Sequence, residues 1–145
     1  MLEGKYLLFG DCYDDVIYVR KQCVSRKNVE DEMDNEAIHV IVYENKEPIA
    51  CGRMLIQENK SIFDNIYVIE GKRRNKIGDF TLRLLIEKVN VMCIKEIVLW
   101  CQKENREFFK SVGFIEMKEI SDNHINMIKM GLDVESFFNN KNCCK

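Results

Sequence analysis

A chain of 145 residues that is 46% hydrophobic can bury one core and has no room for a second, so one domain over 1–145 is expected, with the end from about residue 132 peripheral. Its 22 Lys and Arg nearly cancel 24 Asp and Glu, which excludes a global field that would draw the chain to nucleic acid or an anionic membrane. No apolar run approaches a membrane span, and Met1 to Gly10 lacks the apolar stretch of a signal peptide, so the expected compartment is cytoplasmic.

In chain order, Lys5 to Phe9 reads as a short strand. Tyr13 to Cys23 carries Val16, Ile17, Val19 and Cys23 at helical spacing, and the acidic run Val29 to Glu36 reads as a second short helix. Ala37 to Tyr43 and Pro48 to Ile56 flank Glu44-Asn45-Lys46-Glu47, a polar connection of hairpin length, and Ser61 to Val68 is a third antiparallel strand. The period then changes: Ile77, Phe80, Leu84, Leu85 and Val89 share one face of a helix that follows a basic loop. In Glu96 to Cys101 the consecutive Ile97, Val98 and Leu99 mark a strand buried on both faces, as in a parallel pair. A helix from Glu104 to Val112 closes at Gly113, and Phe114 to Glu119 and His124 to Met130 complete the set as two strands. Strand, basic loop, helix and buried strand form a βαβ unit, the place where such sheets bind phosphorylated ligands.

Seven cysteines, an odd number without a CxxC pair, argue for a reducing compartment over a disulfide scaffold or a zinc site, and no metal is expected. Cys51, Cys93 and Cys101 sit in apolar runs where a thiol serves as a small hydrophobe, while Cys143 and Cys144 end a polar tail as a frayed terminus or an oxidisable pair.

The loop Lys72-Arg73-Arg74-Asn75-Lys76 places four cations in five residues at the front of a helix, the end already positive through its dipole. A bound pyrophosphate compensates such a charge, and Gly78 lets a ligand approach the backbone; the plain alternative is a solvated basic turn. No aromatic residues interleave with these cations, so nucleic acid is not an expected partner.

Order of elements and motif together resemble the GNAT superfamily of acetyl-CoA-dependent N-acetyltransferases, whose mark is Arg/Gln-x-x-Gly-x-Gly/Ala between the fourth strand and the next helix. Here the motif reads Arg73-Arg74-Asn75-Lys76-Ile77-Gly78, with Lys76 in place of the first glycine. Further matches are Val98-Leu99-Trp100-Cys101-Gln102 followed by Phe108-Phe109-Lys110-Ser111-Val112-Gly113-Phe114, then Ala37-Ile38-His39, Gly52-Arg53 and His124-Ile125-Asn126-Met127, so the resemblance covers about residues 10 to 130. It implies an α/β (α+β) fold: a mixed, mostly antiparallel sheet of about six or seven strands flanked by about four helices and splayed between strands 4 and 5. It also implies acetyl-CoA as cosubstrate, its pantetheine arm held by Ile66, Tyr67 and Val68 and its pyrophosphate by Arg73, Arg74, Asn75, Lys76, Ile77, Gly78 and Asp79. Phe109, also expected to touch the cofactor, stands where many members carry a tyrosine that protonates the leaving thiolate.

A phenyl ring donates no proton, so another group such as Tyr67, or water, must serve. For a base, Asp64 is placed by strand alternation on the side of Ile66 and Val68; a solvated polar residue near a strand start is the bland alternative. His39 and His124 are further titratable candidates. The run Glu30 to Glu36, with five carboxylates in seven residues, reads either as an acidic wall for a cationic amine or as a solvated helix face. The expected activity is transfer of an acetyl group to a primary amine of a small molecule or peptide by direct attack in a ternary complex. A CoA-binding module with weak turnover is the second reading, and the assembly is expected to be a monomer or homodimer, with Phe137 and Phe138 docking on their own chain or on a partner.

Overall fold

The computed structural model describes residues 1–73, 75–118 and 126–143, with side chains to residue 139. Its seven strands form one sheet: β1 (Leu2–Leu7), β2 (Ile38–Glu44), β3 (Glu47–Gln57), β4 (Lys60–Val68), β5 (Glu96–Cys101), β6 (Ile115–Glu116) and β7 (Ile128–Asp133), in spatial order β1-β2-β3-β4-β5-β7-β6. Only β4 and β5 run parallel, and the other neighbours are antiparallel. Four α-helices flank the sheet: α1 (Asp14–Cys23), α2 (Ile77–Val91), α3 (Arg106–Val112) and α4 (Val134–Cys143). The mixed, mostly antiparallel sheet with its helices is the layout expected from the sequence.

Two tight turns set the register of the meander. Asn45-Lys46 and Glu58-Asn59 both take positive φ at each residue (50° and 72°, 49° and 65°), the twist of two-residue hairpin loops, and Asn tolerates it best. The main core lies between the sheet and α2, α3 and α4, where Leu82, Leu85, Ile86 and Val89 of α2 meet Met54, Phe63, Ile97 and Leu99 of the strands. On the opposite face α1 lays Val16 and Val19 on Ile41 and Cys51.

Three expectations are corrected. The acidic run makes only a 3-10 turn, Glu32–Asn35, because Asp31 caps it and Asp34 is drawn inward. The last strand is Ile128–Asp133, and residues 119–125, including the expected start at His124, lie outside the described residues. The tail is α4, whose Val134 is 2% exposed and whose Phe137 and Phe138 pack on the main core. Both rings therefore dock on their own chain.

Candidate active site

The site begins where the sheet comes apart. β4 and β5 pair only from Lys60↔Glu96 to Phe63↔Leu99; beyond that, β4 continues with β3 and β5 with β7, so a wedge opens between them. Asn65 accentuates the departure with φ of 48°, where the β3–β4 register shifts between Cys51 and Arg53 and leaves Gly52 opposite two residues of β4. Such a bulge releases backbone groups from the ladder and re-aims the strand. The resulting cleft measures about 1240 Å³ and is lined by Asp64 to Val68 on one side and Leu99 to Gln102 on the other, with Phe108, Phe109 and Met127 also in its lining.

The bulge corrects one sequence-based expectation. Ile66 packs into the main core and Val68 against Ile77 and Phe80, on the α2 side, whereas Tyr67 packs with Val16, Val19 and Cys51 under α1. Asp64 lies on the α1 side as well, away from Ile66 and Val68, because the extra residue reverses the alternation. Arg53 holds it there, with Nε and Nη2 each donating to one Asp64 oxygen at 2.7 Å.

That ion pair belongs to a buried network the sequence did not announce. Arg53 Nη1 also donates to Asp31 at 2.6 Å and to Asp34 at 3.0 Å, and Arg20 grips both Asp34 oxygens at 3.0 Å. Burial alone would push the Asp34 carboxyl up, but the hydrogen bonds from Arg20, the Asp31 amide and Arg53 overcome it and hold it at about 2. Desolvation lowers His39, whose Nε2 meets the Asp34 carbonyl at 2.9 Å while its ring stacks on Tyr13, so it is a packed neutral residue of the network. The acidic run is thus neither a solvated helix face nor wholly a wall: two of its carboxylates neutralise buried guanidiniums. A legible signal existed, since Gly52-Arg53 interrupts an apolar strand and a buried arginine requires acid partners.

At the mouth of the cleft α2 begins at Lys76, in the left-handed conformation (φ 62°, ψ 20°), with no side chain capping the first turn. Among the described residues no side chain caps the leading amides of α2, and Gly78 and Asp79 of that first turn line the cleft beside Arg73 and Lys76. A Cβ at Gly78 would stand 3.3 Å from the Phe108 ring, so glycine keeps the helix start close to α3. Of the predicted loop residues, Arg73, Lys76, Gly78 and Asp79 line the cleft, Ile77 is 2% exposed and anchors the turn in the core, and Asn75 is exposed outside the lining. Arg74 lies outside the described residues. Arg73 Nε donates to the Val68 carbonyl at 3.0 Å, and Lys72 turns away to pair with Glu44. Arg83 escaped the sequence reading; one helical turn on, its Nε bonds Asp79 at 2.8 Å and offsets a carboxylate at the basic mouth.

A family model described as an acetyltransferase (GNAT) domain matches residues 11–134. The chain belongs to the GNAT acetyltransferase family. Among relatives, an uncharacterized N-acetyltransferase of Bacillus subtilis strain 168, YjcF, is 25% identical over 118 residues, covering 78% of this chain and 84% of that protein. Crystal structures of ElaA from Escherichia coli and of a GNAT family acetyltransferase from Elizabethkingia anophelis with acetyl-CoA bound each superpose with a TM-score of 0.74. The first is 20% identical over 92% of this chain and 100% of its own, the second 16% over 91% and 97%. This GNAT protein is therefore an acyltransferase, and acetyl-CoA is the family's acetyl donor. Its cleft fits that cosubstrate: an uncapped helix start flanked by cations suits a pyrophosphate, and the unpaired stretch of β4 offers backbone groups to an amide-bearing arm. No helix among the described residues is long and apolar enough to cross a membrane.

Proposed function

We propose that this GNAT enzyme transfers the acetyl group of acetyl-CoA to a primary amine of a small molecule or peptide, by direct attack while both are bound. The observation that carries the reading is the divergence of β4 from β5 past Phe63↔Leu99, opening straight onto the uncapped start of α2. Acetyl-CoA supplies an activated thioester there; the chain supplies position, polarisation and a proton. Arg73, Lys76 and the α2 amides hold the diphosphate, while Ile66, Tyr67 and Val68 flank the arm. A backbone amide released by the Asn65 bulge is suited to polarise a carbonyl at the apex of the wedge.

Direct attack is favoured over a covalent carrier by the thiols themselves. Burial pushes the cleft-lining Cys23 and Cys101 up and the neighbouring Cys51 to about 12, so each stays protonated and poorly nucleophilic at neutral pH. Burial also raises Tyr67, which keeps its phenolic proton and is our candidate donor to the leaving thiolate, in place of the hydroxyl that Phe109 lacks. Asp64 has both oxygens on Arg53, so we assign removal of the amine proton to water reached through the open side of the cleft.

The test pairs calorimetric titration of acetyl-CoA with thiol release across a panel of primary amines. Replacing Arg73 and Lys76 together by Ala should weaken acetyl-CoA binding on the order of ten- to a hundredfold. Tyr67→Phe should leave binding intact and lower kcat by about a hundredfold. Binding without thiol release from any amine would overturn the transfer reading, and an unchanged kcat in Tyr67→Phe would remove that residue from it.

A further inference from the structure

β1 forms one edge of the sheet and, among the described strands, pairs only with β2. The parity of its backbone follows from one bond: the Met1 carbonyl accepts from Asn45 N at 3.1 Å, so the odd-numbered residues of β1 face β2. The N–H and C=O groups of Leu2, Gly4 and Tyr6 therefore point outward, three alternate residues able to extend the sheet. Natural edges are blunted by proline, bulges or inward charges. The β1 sequence Leu2-Glu3-Gly4-Lys5-Tyr6-Leu7 has no proline and pairs with β2 without a bulge, residues Leu2 to Lys5 are exposed, and the edge carries two charges, Glu3 and Lys5.

Its two charges select a partner. Leu7 packs under α1 and Lys5 lies over the Tyr43 ring, so Glu3, Lys5 and Leu7 share the α1 face, while Tyr6 bonds Leu84 on the α2 face with Leu2 and Gly4. In an antiparallel pair of two such strands centred on Gly4, Glu3 of each copy stands opposite Lys5 of the other, Leu2 opposite Tyr6 and Met1 opposite Leu7. Because the even residues carry the outward hydrogen bonds, Glu3 and Lys5 fall at the non-hydrogen-bonded positions, where side chains approach most closely. The neighbouring symmetric registers are disfavoured: centring on Glu3 opposes two carboxylates, and centring on Lys5 opposes two ammonium groups. The small, exposed Gly4 at the centre leaves the approach of the two backbones open.

We propose that β1 is a self-complementary docking edge and that two copies of this chain join through antiparallel β1–β1 pairing about Gly4, extending the sheet across a two-fold axis. The occupant is a second copy, since the charge pattern is its own complement.

Sedimentation velocity of the full chain, from low to high micromolar concentration, tests it together with charge swaps. The native protein should form a dimer. Glu3→Lys and Lys5→Glu, each placing like charges opposite one another twice, should each raise the dimer dissociation constant roughly tenfold. The double swap Glu3→Lys, Lys5→Glu should restore the dimer, and so should an equimolar mixture of the two single variants, which pair as a heterodimer. Leu2→Pro, which removes only an outward N–H, should weaken association without lowering the melting temperature. A native protein that stays monomeric at every concentration, or a dimer indifferent to all these substitutions, overturns the proposal.

Discussion

Lys76 holds a backbone conformation that disfavours any residue with a Cβ, at φ 62° and ψ 20°, in the place where the family motif has glycine. The left-handed region costs a non-glycine residue roughly 1 kcal/mol, and that cost is tolerable if the ammonium gains a phosphate contact. Lys76→Gly should therefore raise stability by about 0.5–1 kcal/mol in denaturant unfolding and at the same time weaken acetyl-CoA binding by calorimetry; a variant that is both tighter-binding and more stable would show that the lysine serves no ligand. The buried network responds to proton concentration in a direction fixed by its shifts. Asp34 is held at about 2 in the fold against an ordinary 3.8, so its contribution is complete above pH 4 and is lost as pH falls toward 2. His39 is lowered from 6.5, so the unfolded chain takes up its proton first and stability begins to decline below that value. Unfolding midpoints measured from pH 8 downward should fall in two stages, and His39→Gln should remove the first while leaving the second.

Among the elements, those whose pattern is local were legible. The hairpins, α2 and β5 follow from turn residues, a 3.6 period and an apolar run, and β5 ends where the sequence places it, Glu96–Cys101. β4 misled because a single left-handed residue, Asn65, shifts the face of everything after it, and an asparagine within a strand gives little warning. The acidic segment before β2 misled for a different reason: its pattern is helical, but the demand of Arg20 and Arg53 for partners outweighs propensity and folds it as a cap-closed turn. The cleft loop was legible as a cation cluster, and the support behind it was not. α4 supplies that support, since Phe137 packs near Gly113 and Leu132 and lies 5.8 Å from the Arg83 guanidinium, which in turn bonds Asp79 at the cleft mouth. Phe137→Ala should cost about 2 kcal/mol of stability and also lower acetyl-CoA affinity, because Arg83 loses its backing. A stability loss with unchanged affinity would detach α4 from the site.

At the scale of the whole molecule, the charge balance and length that exclude other classes say nothing of how the sheet is joined. Its two parts meet through the four parallel pairs from Lys60↔Glu96 to Phe63↔Leu99, the same seam whose abrupt end makes the cleft. On one side β2, β3 and β4 follow each other through two-residue turns; on the other, β5 reaches β7 only across α3 and β6. A meander of neighbouring hairpins closes small loops, whereas the seam must wait for a 15-residue helix to fold and cross over. The chain should consequently assemble in an order written into the topology, with amides of β2 to β4 gaining protection in pulsed hydrogen exchange before those of β5 and β7; simultaneous protection would contradict it. On a ribosome β4 would then be in place before β5, on the other side of the seam, has been synthesised, and the cleft would close only after β5 and α3 had emerged.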